Sequence, residues 1–221
     1  MRVPENMMRK LKFLLAPVLA FTLIATACST SWVTQAEAIV QVLIPAAVNI
    51  ITLITALGGK TISPADVTAA QALGKQVETD LSTIGNLIDQ YNKASATAQP
   101  GILNDLQTAI TIAQNDMATI FTVLHVKDAA TAAKIDAVVG VVLSELQSIQ
   151  ALVPLVKSGS DLKKVRAAMT SPPLDANDFA GAYNKCMTAK SPNPDVTAAA
   201  SKLKVHYHNR FVRTLSFGTA N

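Results

Sequence analysis

The sequence predicts an all-α protein: an up-down four-helix bundle of long helices, with a C-terminal extension of short helices wrapping it. Apolar residues recur at steps of three and four along four long stretches, which is the spacing of a helix face turned towards other helices. These stretches are rich in Ala, and aromatic residues make up only 5% of the chain. Gly and Pro collect at the joints, and such short links favour neighbouring helices in contact.

Residues 1–27 are predicted to be a secretory signal peptide. A basic stretch precedes an almost wholly apolar run over residues 11–27, and Ala25-Thr26-Ala27 supplies the small residues that a signal peptidase accepts. The basic residues are Arg2, Arg9, Lys10 and Lys12. Met7 or Met8 offers an equally good start, so the true start codon is open.

The residues around Cys28 suggest a membrane anchor. The stretch Ile24-Ala25-Thr26-Ala27-Cys28-Ser29 resembles the signal of bacterial lipoproteins, in which small residues precede a Cys that receives the lipid. The match covers only this segment and departs from the family pattern at Ala25, where Leu is usual. The resemblance implies lipid attachment at Cys28, and Ser29 next to it implies sorting to the outer membrane. The alternative is ordinary cleavage after Ala27, with Cys28 incidental.

The chain contains two cysteines, Cys28 and Cys186. If Cys28 carries lipid, Cys186 is a free thiol. If Cys28 is free, the two can form a disulfide, because exported proteins tend to use cysteines in pairs. Both interpretations stay open at the level of sequence.

The charge balance argues against a nucleic-acid partner. Without residues 1–27, the chain has 15 Lys and Arg against 14 Asp and Glu, whereas a nucleic-acid binder keeps a strong basic excess. Residues 28–156 hold 5 basic and 10 acidic residues, and residues 157–221 hold 10 and 4. We therefore divide the exported chain into a long-helix bundle, 28–157, and a basic C-terminal extension, 158–221. That extension can contact an acidic partner or fold back on its own acidic half.

The first helix after the signal is ambiguous, because residues 38–59 carry no charge and about 20 apolar residues span a bilayer. Its polar residues nevertheless share one helical stripe, which predicts a buried bundle helix with that stripe outside. A membrane-inserting or pore-lining helix over residues 38–57 is the alternative. The stripe consists of Thr34, Glu37, Gln41, Pro45, Asn49, Thr52 and Thr55. Gly58-Gly59 should end the helix.

Three further long helices follow, each with its own apolar seam. Ser63-Pro64-Ala65-Asp66 has the capping Ser, the Pro and the acid typical of a helix start, and Asp128 can cap the fourth helix. The second helix should end within residues 94–99, and Pro154 should end or bend the fourth. The seam of the second helix is Val67, Ala70, Gly74, Val77, Leu81, Ile84, Ile88 and Tyr91. That of the third is Leu103, Leu106, Ile110, Ala113, Met117, Ile120 and Leu124, and that of the fourth is Ile135, Val138, Val142, Leu146, Ile149 and Val153.

The C-terminal third is predicted to contain short helices over residues 161–169, 175–189 and 194–207, separated by Pro-rich joints. Residues 211–217 alternate in polarity and fit a short strand or an ordered tail. We expect this part to wrap the bundle without forming a core of its own.

No nucleophile elbow, phosphate loop or zinc-protease motif is present, so we predict neither an enzyme nor a cofactor. The candidate metal ligands are His206 and His208, which share a face only on a strand, and a solvated basic stretch is the favoured interpretation. His125 at a helix joint fits a solvated or capping role. Two acidic pairs are also interpreted as structural: Glu78 and Asp80 do not face each other on a helix, and Asp175 with Asp178 is typical of a helix start.

The sequence therefore predicts a non-catalytic, lipid-anchored binding or scaffold module on the periplasmic face of a bacterial membrane. Its expected partners are the membrane, through the lipid, and a protein partner or a second copy. The alternatives are a pore component using residues 38–57 and a carrier of a small ligand or metal. Trp32 either sits at the lipid interface or covers the end of the bundle.

Overall fold

The computed structural model describes residues 32–154 and 175–207, and their regular structure is helical apart from one isolated bridge between Gly58 and Ile62. The predicted all-α class is confirmed for these residues. The six helices are α1 (Trp32–Leu57), α2 (Pro64–Lys93), α3 (Gln99–Val123), α4 (Ala129–Leu152), α5 (Ala176–Thr188) and α6 (Pro194–Ala200). The predicted signal peptide, the helix over 161–169 and the segment 211–217 lie outside the described residues.

Helices α1 and α2 lie side by side and antiparallel. Trp32 at the start of α1 packs edge-on against Tyr91 at the end of α2, with 5.0 Å between the ring centroids. Ile51, near the other end of α1, packs against Gly74 in the first half of α2. The turn between the helices follows Leu57, and Gly59 adopts a φ of 77°, a conformation that costs Gly little because it has no Cβ.

The polar stripe of α1 points outward, as predicted. Its members are exposed, except that Glu37 and Asn49 are half-buried. The opposite side is fully buried and includes Ile39, Leu43, Ile50, Leu53 and Ile54. By length and composition α1 is apolar enough to cross a membrane, yet half of its most apolar window is already buried among the other helices. The apolar side of α1 therefore forms part of the protein core.

The predicted starts of α2 and α4 are confirmed. The Ser63 hydroxyl accepts a hydrogen bond from the Asp66 amide at 3.1 Å, and Pro64 occupies the first turn. Asp128 accepts from the Thr131 amide at 2.8 Å. Such caps satisfy amides that have no partner within the helix. The predicted seams of α2, α3 and α4 are buried throughout, except that Val67 is half-buried.

Each helix from α2 to α5 contacts the next one along the chain. Asp66, in the first turn of α2, accepts a hydrogen bond from the backbone amide of His125, which follows the end of α3. The start of α2 therefore lies beside the end of α3, and these two helices are antiparallel. Gln114 on α3 donates to Gln150 on α4 at 3.3 Å. On α5, the buried Tyr183 hydroxyl donates to the Ala46 carbonyl of α1 at 3.1 Å. One apolar core runs continuously from α1 to the segment after α6.

The prediction of a helix over 194–207 is wrong in its extent, because α6 ends at Ala200. The reason lies in Asn184 of α5, whose side-chain amide contacts the backbone of Val205 on both sides. Val205 N–H donates to Asn184 Oδ1 at 2.9 Å, and Asn184 Nδ2 donates to the Val205 carbonyl at 2.8 Å. These bonds replace the helical ones, so residues 203–207 have no regular secondary structure, and Val205 is buried.

An ion pair also links the described C-terminal residues to the turn after α1. Lys60, after α1, forms an ion pair with Asp195 of α6 at 2.9 Å, and both side chains are about half exposed. The signs are opposite to those that the charge asymmetry suggested, because the basic partner lies in the acidic half of the chain.

Candidate functional site

A groove lies between the C-terminal half of α1 and the N-terminal half of α2, with a volume of about 830 Å³. We call it the outer groove. This volume lies within the roughly 300–1,000 Å³ typical of small-molecule sites. The α1 wall consists of Val48, Ile51, Thr52, Thr55 and Ala56. The α2 wall consists of Thr68, Gln71, Ala72, Gly74, Lys75 and Glu78.

The two helices that form the groove approach each other closely at Gly74. A Cβ placed on Gly74 would lie 2.3 Å from Cγ1 of Ile51, so only Gly allows the two helices this approach. Val48, outside the contact line, is 42% exposed and is one of two large apolar residues that stand out at the described surface. The groove therefore presents an apolar strip to solvent.

The hydroxyl groups of the groove are largely satisfied within the protein. Thr52 donates to the Val48 carbonyl at 2.9 Å, and Thr55 donates to the Ile51 carbonyl at 2.8 Å. Gln71 of α2 donates across the groove to Thr55 Oγ1 at 3.2 Å. Because these groups already have partners, an apolar ligand can cover them at low cost. The charged lining residues are Lys75 and Glu78.

A second unusual feature is Glu145 on α4, which is fully buried. Neither carboxylate oxygen has a hydrogen-bond partner among the described residues. Burial raises the pKa of Glu145 to about 8, and the nearby carboxylates of Asp175 and Asp178 at the start of α5 contribute to the rise. The side chain is therefore largely protonated at neutral pH.

A carboxyl pair joins α2 to α3. Asp80 is 8% exposed and accepts from Gln76 Nε2 at 3.1 Å. Burial raises the pKa of Asp80, the hydrogen bond from Gln76 opposes the rise, and the Asp116 carboxyl beside it adds to the rise. The expectation that Glu78 and Asp80 point apart agrees with Glu78 being exposed, but the sequence did not reveal Asp116 as the partner.

Lys134 on α4 is buried and reaches the C-terminus of α5. Its ammonium group donates to the carbonyls of Cys186 and, at 2.8 Å, Ala189. Carbonyls at a helix end lack partners within the helix and carry partial negative charge, which favours a cation there. Burial lowers the pKa of Lys134, and Cys186 opposes this. The arrangement fixes α5 against α4.

The other histidine and cysteine predictions have mixed outcomes. His125 is 83% exposed in its side chain, with Nδ1 3.2 Å from Asp66 Oδ1, and this hydrogen bond lowers the pKa of Asp66. Its setting agrees with the structural role expected. Cys186 is half-buried on α5, and burial raises the pKa of its thiol. His206 is exposed next to Val205, while His208 and Cys28 lie outside the described residues, so the metal and disulfide predictions stay predictions.

Within residues 32–154 and 175–207, no group of three or more His, Cys, Asp or Glu side chains is arranged to hold a metal ion. Trp32 is 7% exposed against Tyr91, which agrees with the interpretation that it covers the end of the helices. No protein-family model matches the chain, and no curated protein or solved structure matches it either.

Proposed function

We propose that this protein is a non-catalytic binding module of the bacterial cell envelope, tethered to a membrane by a lipid on Cys28. In this proposal the four long helices form an up-down bundle, and the short helices after them wrap it. The pairwise antiparallel contacts among α1, α2 and α3 support this topology. Residues 1–27 direct export and are removed.

The observation that carries the proposal is the outer groove. It is preformed by the close approach of two rigid helices at Gly74, and it exposes an apolar strip along Val48 and Ile51. Sites for apolar ligands and for amphipathic helices share these properties. Thr52 and Thr55 in its lining already donate to backbone carbonyls of α1, which supports binding as the chemistry of the groove.

The groove is tested with an apolar fluorescent probe, anilinonaphthalene sulfonate. We expect saturable fluorescence enhancement by the native protein and its loss in Val48→Glu, which puts a charge in the apolar strip. Ala118→Glu is the matched control, because Ala118 is exposed on α3 and does not line the groove. Equal enhancement in both variants would contradict the assignment of the groove.

The tether is tested separately by metabolic labelling with radioactive palmitate. We expect label in the native protein and none in Cys28→Ser, with a Cys186→Ser variant labelled as strongly as the native protein. Failure of the native protein to incorporate label, or equal incorporation by Cys28→Ser, would remove the anchor from the proposal.

A membrane-inserting or pore component is the second candidate, because α1 is long and apolar enough to cross a bilayer. It requires the buried side of α1 to leave the core and face lipid, with the polar stripe lining a pore. The two candidates differ in one measurement. After carbonate extraction, an unlipidated Cys28→Ser protein should be soluble if α1 stays in the core and membrane-bound if α1 inserts.

A further inference from the structure

We propose that residues 208–221 of this chain fold back across α1 and occupy the outer groove when no other ligand fills it. The inference rests on the proposed function, since it assigns a regulator to the same groove. Three observations support it: where the described chain leaves the core, how far the following residues reach, and what their side chains offer.

The described chain leaves the core beside the groove. Asn49 on α1 donates through Nδ2 to the Lys204 carbonyl at 3.4 Å, and Val205 is fixed by the side chain of Asn184. Asn49 adjoins Val48 in sequence and lies one turn before Thr52, and both of these residues line the groove. Lys204, three residues before the end of the described segment, therefore lies within one helical turn of the α1 wall.

Length does not limit the contact. Residues 208–221 are 14 in number, and at roughly 3.3 Å per residue an extended chain of that length reaches about 46 Å. The α1 wall runs from Val48 to Ala56, which is about 12 Å along a helix. A fraction of the segment is enough to cross α1 and cover the groove.

The chemistry of the segment matches that of the groove. It supplies four large apolar side chains for the strip along Val48: Phe211, Val212, Leu215 and Phe217. It also carries Arg210 and Arg213 and no Asp or Glu, whereas the groove lining has one acidic residue, Glu78, and one basic residue, Lys75. Burial of the apolar residues is the main contribution expected to stabilise the contact.

The test is intramolecular disulfide trapping in the full chain with Cys28→Ser and Cys186→Ser. Thr52→Cys on the groove is paired with Ser216→Cys, which leaves the apolar residues of the segment intact. The control pairs Ala118→Cys on α3 with the same Ser216→Cys. If the segment occupies the groove, the first pair should cross-link roughly tenfold or more faster, since docking raises the effective concentration of the thiols.

Addition of Val48→Glu should reduce the rate of the first pair to that of the control pair. Equal rates for the two pairs, a rate unchanged by Val48→Glu, or cross-links formed only between two copies would each overturn the proposal. Because no external ligand is used, the result does not depend on whether the fluorescent probe binds, so this inference and the proposed function fail independently.

Discussion

At the scale of single residues, the most consequential feature is a carboxyl group placed where it is costly to ionise. Glu145 is fully buried on α4, and its carboxylate has no hydrogen-bond donor among the described residues. An ionised carboxylate in such a place loses its hydration without compensation. The protein therefore tolerates Glu145 mainly in its protonated form.

This predicts a pH-dependent gain in stability for Glu145→Gln. Because the pKa of Glu145 rises from 4.5 to about 8 on folding, the folded state holds the proton more tightly. Ionisation of the buried carboxyl lowers the free energy of unfolding. This loss is absent below pH 4.5, grows as the pH rises, and is complete above about pH 8, where it is on the order of 5 kcal/mol. Gln stays neutral, so the variant should match the native protein at pH 4.5 and exceed it by several kcal/mol at pH 9.

Urea unfolding at pH 4.5, 7 and 9 measures this difference. Asp136→Asn is the matched control, since Asp136 is an exposed carboxylate on the same helix. A stability difference between Glu145→Gln and the native protein that does not change with pH would show that folding leaves the pKa of Glu145 unchanged, contrary to this prediction.

A second residue-scale prediction concerns Lys134→Met. Methionine fills the space but cannot donate to the carbonyls of Cys186 and Ala189 at the end of α5. We expect a loss of about 1–3 kcal/mol, the usual cost of leaving buried polar groups without partners. Lys127→Met, at an exposed position before α4, should change the free energy of unfolding by less than about 0.5 kcal/mol. Urea unfolding of both variants at pH 7 checks the prediction, and equal losses would contradict it.

These residues also show what the sequence could reveal. Thr131, Lys134 and Glu145 all lie beside the apolar seam of α4 at helical steps, so the periodicity that located the seam could also have predicted their burial. What it could not supply is the partner. The carbonyls that Lys134 meets belong to α5, and the position of α5 depends on the packing of the whole chain.

At the scale of the helices, the close approach of α1 and α2 depends on Gly74. We expect Gly74→Ala to lower the free energy of unfolding by about 1–2 kcal/mol, because the added Cβ would lie 2.3 Å from Ile51 Cγ1. Ile51 cannot easily move aside, since a β-branched side chain has few other rotamers in a helix. In an Ile51→Ala background the obstacle is gone, so the same substitution should be neutral or stabilising, as Ala favours helix more than Gly does.

Gly140→Ala is the matched control, since nothing lies within 4 Å of a Cβ at this exposed α4 position. Gly140→Ala should raise the free energy of unfolding by about 0.5–1 kcal/mol, from the higher helix propensity of Ala alone. Thermal unfolding of the four variants forms a double-mutant cycle with its control. If Gly74→Ala behaved like Gly140→Ala, the proposed constraint on the helix pair would be wrong.

The helices were predictable because their signals are local. Ser63, Asp128 and Asp175 each bond amides two or three residues ahead, and the seams follow from the helical repeat alone. The irregular residues 203–207 were not predictable, because Asn184, some 20 positions earlier, satisfies their backbone. The outer groove was also missed, since its existence depends on how α1 and α2 pack.

At the scale of the whole molecule, the single core predicts cooperative unfolding. Buried apolar residues form one cluster from Trp32 to Val205, with no separate core for the described C-terminal part. Trp32 is the only Trp, so its fluorescence reports on one end of the helices while circular dichroism reports on all of them. The two urea transitions should coincide, as in a two-state protein. An earlier fluorescence transition would indicate that this end opens independently.

The packing of Trp32 against Tyr91 also sets how far the folded helices can lie from the proposed lipid anchor. Trp32 is already part of the folded body, and only three residues separate it from Cys28, so an acylated Cys28 keeps this end within about 14 Å of its own Cα. The α1 wall of the outer groove begins at Val48, about 24 Å along the helix from Trp32, so under the proposed lipid anchor a partner would meet the groove at that distance from the tethered end.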